Sequence, residues 1–274
     1  MRFSVLMSIY KNDNPEHLAE SLNSLLEQTL LPDEIVVIFD GPVSEQLSKV
    51  VDDISLIHQG LFKIIQLEKN GGLGKALGIA MQHCTYDIVA RMDADDIAKP
   101  ERFRKQIEFI KANPNVDIVG SWIEEFNHST KNVLSLRKVP ETHEEIVHFA
   151  KFRSPFNHPT VLFRKKVVIE AGGYQDYGTF EDYHLWARLI GKGRKCYNIQ
   201  ESLLYFRMNE NMIKRRGGWK KTLAEIKLQQ YFLSIGFITK MQFIRNVITR
   251  GGARIVPDKL RSIVYKFLLS SKAR

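Results

Sequence analysis

The chain has 274 residues, 44% of them hydrophobic, enough to bury a full core as one large α/β domain or as a domain with an appendage. Forty lysines and arginines against 31 aspartates and glutamates leave a net charge of +9, which points to anionic partners such as nucleotides, lipid head groups or nucleic acid. Only two cysteines occur, Cys84 and Cys196, without metal-ligand spacing, and no stretch has the roughly 18 consecutive apolar residues of a membrane span, so a zinc site, an oxidising compartment and a transmembrane anchor are all disfavoured.

The opening run MRFSVLMSIY is interrupted by Ser4 and Ser8. It reads as a strand over 3–10 rather than a secretion signal, which predicts a soluble or peripheral cytoplasmic protein. Asn14-Pro15-Glu16 supplies a cap and a first-turn proline for a helix with Leu18, Leu22, Leu25 and Leu26 at helical spacing, ended by Pro32. A second strand over 34–39 stops at the turn Asp40-Gly41-Pro42. From Ser44 a helix carries Leu47, Val50, Val51, Ile54 and Ile57 on one face, and a third strand covers 62–67. The loop KNGGLGK at 69–75 leads into a helix burying Ala76, Leu77, Ala80 and Met81, and a fourth strand covers 86–92. Four strands alternating with three helices predict a parallel, doubly wound sheet. Right-handed crossovers then bring Ser8 and Tyr10, Asp40, Asn70, and Asp93 with Asp95 to one edge.

The second half is less regular. Its pattern predicts a helix over 101–112, strands over 116–126 and 133–139, a short helix over 144–152 and a strand over 160–164 after Asn157-His158-Pro159. Gly172-Gly173 marks a break, GTFEDYHLW opens a helix to about 190, and two short strands follow over 195–199 and 203–207. The tail reads as helices over 219–234, 240–249 and 258–270.

The stretch RMDADDI at 91–97 places three carboxylates in four positions directly after an apolar strand. Such oxygens suit a hard divalent cation completed by substrate phosphates. One of Asp95 and Asp96 is also expected to cap the helix beginning near Lys99, but capping explains one carboxylate and not three.

Taken in order, Ser8 and Tyr10, the Asp40-Gly41 turn, NGGLGKA, RMDADDI followed by KPERF, NHPTVLFRK and GTFEDYHLW make the chain resemble a family 2 glycosyltransferase over about residues 1–207. The resemblance implies a GT-A, Rossmann-like fold: an α/β, mainly parallel mixed sheet flanked by helices. It implies a catalytic domain over 1–216, with a nucleotide-binding half at 1–97 and an acceptor-binding half at 98–216. A basic, amphipathic helical extension at 217–274 completes the expected layout. The implied chemistry is inverting transfer of a hexose (galactose, glucose or N-acetylhexosamine) from a UDP-sugar, with Mg2+ or Mn2+, in bacterial surface polysaccharide synthesis.

On that resemblance Asp95 is the direct metal ligand and Asp93 meets the ribose hydroxyls or metal-bound water. Asp96 is a cap or a supporting group. Asp40 meets the uracil edge, with Phe39 where the family often has another acid; Ser8 and Tyr10 contact the nucleotide, and Asn70 belongs to the donor-side loop. Lys75 either touches phosphate or is solvated. Inverting transfer needs a base for the acceptor hydroxyl, and the second acid of Glu181-Asp182 takes that role, although both acids also suit the positive end of a helix dipole. Glu181, His158, Arg207, Arg215 and Arg216 are further candidates for contacting the acceptor or a diphosphate. For His158 the alternative is a structural hydrogen bond, for Arg207 a surface ion pair, and for the Lys214–Lys221 region a solvated charge run.

The chain lacks the Gln-x-x-Arg-Trp segment of processive synthases, which predicts single addition to an oligosaccharide acceptor, expected to be lipid-linked. The tail's Phe232, Phe237, Phe243 and Phe267 fit either an anionic membrane face or packing on the catalytic domain. A catalytically silent relative acting as a binding protein is one rival reading, and retention of both acid elements counts against it. Nucleic-acid binding is the other. The basic residues are spread along the chain without a recognition motif, so no nucleic acid partner is expected.

Overall fold

Strand β1 (Phe3–Ile9) is apolar on both faces because helices cover the sheet on both sides. Phe3, Val5, Met7 and Ile9 enter one core cluster and Leu6 the other. This computed structural model describes residues 1–208 and 218–251. Helix α1 (Pro15–Leu26) starts where the Asn14 side chain accepts from the backbone N–H of Glu16 and His17, with proline at the first helical position. It buries Leu18, Leu22 and Leu25, each worth roughly 1.5–3 kcal/mol of burial. Then follow β2 (Glu34–Phe39), α2 (Glu45–Ile57), β3 (Phe62–Gln66), α3 (Leu73–His83) and β4 (Ile88–Asp93). Their strands pair in parallel in the order β3-β2-β1-β4, the doubly wound half expected from the alternation. Ser8 lies in register between Ile38 and Asp93, so these strand ends share one edge.

The sheet continues through β8 (Leu162–Arg164), β6 (Ile118–Phe126), β9 (Cys196–Arg207) and β5 (Ile97–Ala98), with β7 (Val133–Arg137) beside β6. β8 runs antiparallel to β4 and β6, whereas β9 is parallel to β6, so the order is mixed. The helices here are α4 (Arg102–Ala112), α5 (His143–Ala150), α6 (Lys165–Glu170) and α7 (Glu181–Gly191).

Several expectations change. The helix after the acids begins at Arg102, and its Glu101 cap makes no side-chain capping bond, its carboxylate pairing with Arg104 instead. Neither Asp95 nor Asp96 caps it, because β5 intervenes. The strands expected over 195–199 and 203–207 are one, β9, whose register against β6 shifts at Ser121/Trp122 and Trp122/Glu124; these irregularities absorb the polar Gln200-Glu201 that read as a break. Helix α6 went unpredicted because Lys165 and Lys166 masked the buried pair Val167 and Val168. The strand expected from Thr160 starts at Leu162, after a single 3-10 turn, His158–Thr160.

In the tail, α8 (Trp219–Ser234) buries Leu228 and Phe232 in the main core, with Phe232 edge-on to Tyr183 at 4.9 Å and to Phe237 at 5.3 Å. These contacts match the packing alternative. Helix α9 (Lys240–Asn246) opens with a capping box between Thr239 and Gln242 and gives way to a π-helical turn, Val247–Gly251. The helix expected over 258–270, the boundary at 216/217, and Phe267, Arg215 and Arg216 lie outside the described residues. Among the described residues no helix is long and apolar enough to cross a membrane.

Candidate active site

Strand period places Arg91 and Asp93 on the same face of β4, and the chain then turns through Ala94, Asp95 and Asp96. One carboxylate oxygen from each of Asp93, Asp95 and Asp96 lies within 4.8 Å of the others. This acid turn is held from two sides. The Ser21 hydroxyl of α1 donates to the Asp93 carbonyl at 2.8 Å. At the end of β9 the Arg207 backbone N–H donates to Asp96 at 2.9 Å and its Nε to the Asp95 carbonyl at 2.8 Å, while Nη2 pairs with Glu20. Arg207 is therefore a buried fastener with its guanidinium engaged by protein groups; it does form an ion pair, with Glu20, but not as a surface residue.

Crowded acids in a dry site resist ionising together. Burial, then the Asp93 charge, pushes the Asp95 carboxyl up to about 6. Burial, then Asp95 and Asp93, drives the fully buried Asp96 well above the usual range. A further acid, Asp13, feels the same charges. Burial is its largest cause, with Asp95 and Asp93 adding to it against a bond from the Tyr10 N–H, and its carboxyl reaches about 7. A divalent cation among these oxygens would relieve the repulsion, so the donor set fits a hard metal ion.

The second strand end is built differently. The almost buried Asp40 carboxylate accepts from the Gly71 N–H at 2.7 Å, the Gly72 N–H at 3.0 Å and Asn70 Nδ2 at 2.9 Å. It fastens the loop 70–72 and keeps remaining acceptor capacity. Gly41 has φ 86°, and a β-carbon there would sit 2.5 Å from the Asn70 nitrogen, so only glycine lets these turns meet. Lys75 is exposed, and its side chain lies along Gly71. Ser8 and Tyr10 are half-buried at the end of β1.

Helix α7 brings the second pair of acids to this edge. Burial is the main reason the Asp182 carboxyl is raised; the Tyr183 N–H, the Ser154 hydroxyl at 3.3 Å and the charge of Arg91 oppose it. Glu181 is raised to about 7 by burial and by Asp182, and its Oε2 has no partner among the described residues. Arg91 reaches both sets of acids with its charge. It is 1% exposed, ion-pairs with Asp93, favours the ionised forms of Asp95, Glu181 and Asp182, and has Nε and Nη1 unpartnered among the described residues. His158 bonds the Tyr174 hydroxyl at 2.9 Å, and burial with the nearby Arg91 holds its imidazole well below its usual value. It stands there as a neutral hydrogen-bonding group. Trp186 is core.

Asp13, Arg91, Ser154 and Tyr174 escaped the sequence reading. Asp13 follows a strand end and Arg91 shares a face with Asp93, so both had a local signal. Ser154 had none.

Comparison with known proteins agrees with this architecture. The family model "Glycosyl transferase family 2" matches residues 4–173. The UDP-Gal:alpha-D-GlcNAc-diphosphoundecaprenol beta-1,3-galactosyltransferase of Escherichia coli is 40% identical over 265 residues, 97% of this chain and 95% of that protein. The amylovoran biosynthesis glycosyltransferase AmsE of Erwinia amylovora is 39% identical over 267 residues, 96% and 98% of the two chains. Among solved structures, S. aureus TarS 1–349 in complex with UDP-GlcNAc superposes with a TM-score of 0.65 at 20% identity, covering 85% of this chain and 67% of that one. The mannosyltransferase PcManGT of Pyrobaculum calidifontis in complex with GDP-Man and Mn2+ gives 0.64 at 20% identity, covering 90% and 68%. With a mixed, mainly parallel sheet flanked by helices that superposes on those neighbours, and with the family model and these relatives spanning most of its length, the chain belongs to glycosyl transferase family 2 and is a glycosyltransferase of GT-A fold.

Proposed function

We propose that the protein is an inverting, metal-dependent, non-processive hexosyltransferase. It moves one hexose from a UDP-sugar to a lipid-linked oligosaccharide or sugar diphosphate at the cytoplasmic face of the membrane, during bacterial surface polysaccharide synthesis. The observation that carries this reading is the acid turn of β4 standing within electrostatic reach of Glu181, with the Arg91 charge acting on both sets of acids. The E. coli relative, named for a UDP-Gal donor and a diphosphoundecaprenol-linked acceptor, makes galactose the first donor to test, with glucose and N-acetylhexosamines next.

Asp95 and Asp93 would hold Mg2+ or Mn2+, which when bound supplies a Lewis acid for the leaving diphosphate. Ser8, Tyr10, Asp40 and the Asn70 loop line the nucleotide side, and Lys75 stands where the loop meets α3. Asp182 takes the proton from the acceptor hydroxyl as it attacks opposite the leaving group. The Ser154 hydroxyl and the Arg91 charge favour the ionised form of Asp182 against its burial. Arg91 also ties Asp93 to the floor of the site.

The test is UDP release with Mn2+, a panel of UDP-sugars and a synthetic sugar-diphosphate lipid. Release that depends on both one sugar and the acceptor is expected. No release and no thermal shift with any UDP-sugar would overturn the reading.

A further inference from the structure

We propose that Arg250, in the tail beyond the segment matched by the family model, is a positioning residue for the catalytic base: it holds the turn 150–154 so that Ser154 meets Asp182. The proposal rests on Asp182 being the base, as argued above.

Where α5 ends, its carbonyls run out of intrahelical partners. Three successive ones receive donors from other elements. The Ala150 carbonyl accepts from the Tyr183 hydroxyl at 2.7 Å, that of Lys151 from Asn246 Nδ2 at 2.8 Å, and that of Phe152 from Arg250 Nη1 at 2.9 Å. Two residues further on, Ser154 donates to Asp182. The turn is thus gripped by α7, which carries the base, and by the tail.

Arg250 is itself fixed from behind. Its Nε and Nη2 donate to the two oxygens of Glu225 at 2.7 and 3.0 Å, a fork-on-fork pair, and Glu225 is fully buried. Gln229 donates to the same Glu225 at 3.0 Å and accepts from Asn246 at 2.9 Å. Both tail donors that reach the turn are therefore anchored to one buried Glu–Gln pair on α8. A buried ion pair contributes little net stability, since desolvation offsets the attraction. What this pair adds is direction: a planar guanidinium engages two oxygens of Glu225 and still presents a third donor to Phe152, which a lysine cannot do. Arg250 also lies 5.6 Å from the Tyr183 ring, and its charge reaches Asp182.

Two full-length variants test this. Arg250→Gln removes the fork and the carbonyl donor. Arg250→Met with Glu225→Leu removes the whole pair without leaving an orphan charge, so that folding is retained. The first readout is amide hydrogen exchange without substrate. Lys151, Phe152 and Arg153 all donate N–H groups back to residues 148–149, so their exchange reports the turn. At least tenfold faster exchange over 150–156 is expected, with β1 and β4 unchanged; unchanged exchange there in either folded variant overturns the proposal.

The second readout is transfer. The expectation is a kcat reduced about ten- to a hundredfold with the donor KM within twofold, partial recovery in Arg250→Lys, and non-additivity between Arg250→Gln and Ser154→Ala because both act through one turn. A kcat within twofold of the parent, or additive losses, overturns positioning and leaves Arg250 a plain buttress. Exchange needs neither donor nor acceptor, so a chain that transfers no sugar would count against the proposed function while the grip on the turn is decided separately.

Discussion

Gly74 sits directly against Glu181. A β-carbon on Gly74 would lie 3.0 Å from the Glu181 β-carbon and 2.4 Å from the Gln175 carbonyl oxygen. The glycine-rich loop 69–75 and the acid pair of α7 therefore meet through a position that admits no side chain. Gly74→Ala forces backbone to shift, since the nearest atom is a carbonyl. The expected cost is about 1–3 kcal/mol of stability, with loss of both donor affinity and kcat. Gly191→Ala, where nothing lies within 4 Å, serves as the tolerated control in thermal unfolding.

Asp182→Asn preserves shape and removes the carboxylate proposed as the base. Its kcat is expected to fall about 10²–10⁴-fold, while UDP-sugar binding by calorimetry stays within a fewfold. A matching loss of donor binding would place Asp182 in another role.

The Ser154 hydroxyl favours ionised Asp182, whose burial disfavours it. The proposed base must be ionised to work, so activity is expected to fall as pH drops through the Asp182 pKa, with the acid limb of kcat above the ordinary aspartate range. Ser154→Ala should move that limb to higher pH. A limb that stays in place would remove Ser154 from the proton chemistry.

Repulsion among Asp13, Asp93, Asp95 and Asp96 makes a metal-dependent stability test. Without metal, Asp95→Asn should raise stability by on the order of 1 kcal/mol, because it removes one crowded charge. With Mn2+ the parent should gain melting temperature and the variant should gain little. An equal Mn2+ shift in both would move the ion elsewhere.

His184 stacks on Tyr177 at 4.1 Å and lies 4.4 Å from Tyr231, joining α7 to the tail. Burial, with Arg188 adding to it, pushes its imidazole down to about 4. The unfolded chain binds this proton near pH 6.5 and the folded one only near 4. Stability from this residue is therefore complete above pH 6.5 and lost as pH falls toward 4. The raised acids Asp13, Asp95 and Glu181 act in the opposite sense, so the measurement is the difference between parent and His184→Phe in urea unfolding at pH 7.5 and 4.5. The variant should lose less stability on acidification; an identical loss would rule His184 out as the cause.

Local patterns carried most of the first half. The Asn14-Pro15 cap, the spacing of Leu18, Leu22 and Leu25, and the apolar strand runs are properties of contiguous residues, and they reappear in α1 to α3 and β1 to β4. The same local reading failed at β5, only two residues long, and at β9, where Gln200 and Glu201 sit in an irregular register. Pairing partners, not the strand's own sequence, stabilise both.

By itself the sequence determined the alternation of elements, the family, and which acids stand at strand and helix ends, because periodicity, turn chemistry and ordered motifs are written in neighbouring residues. Tertiary structure alone decided what those groups touch. It tied Arg207 to Asp96 across 111 positions, set Asp40 to hold the 70–72 loop, added Asp13 and Arg91 to the charged cluster, and packed the tail against the turn that carries Ser154. Charge coupling and hydrogen bonding depend on distance in space, and the separations that matter here are fixed by packing between segments far apart in the chain.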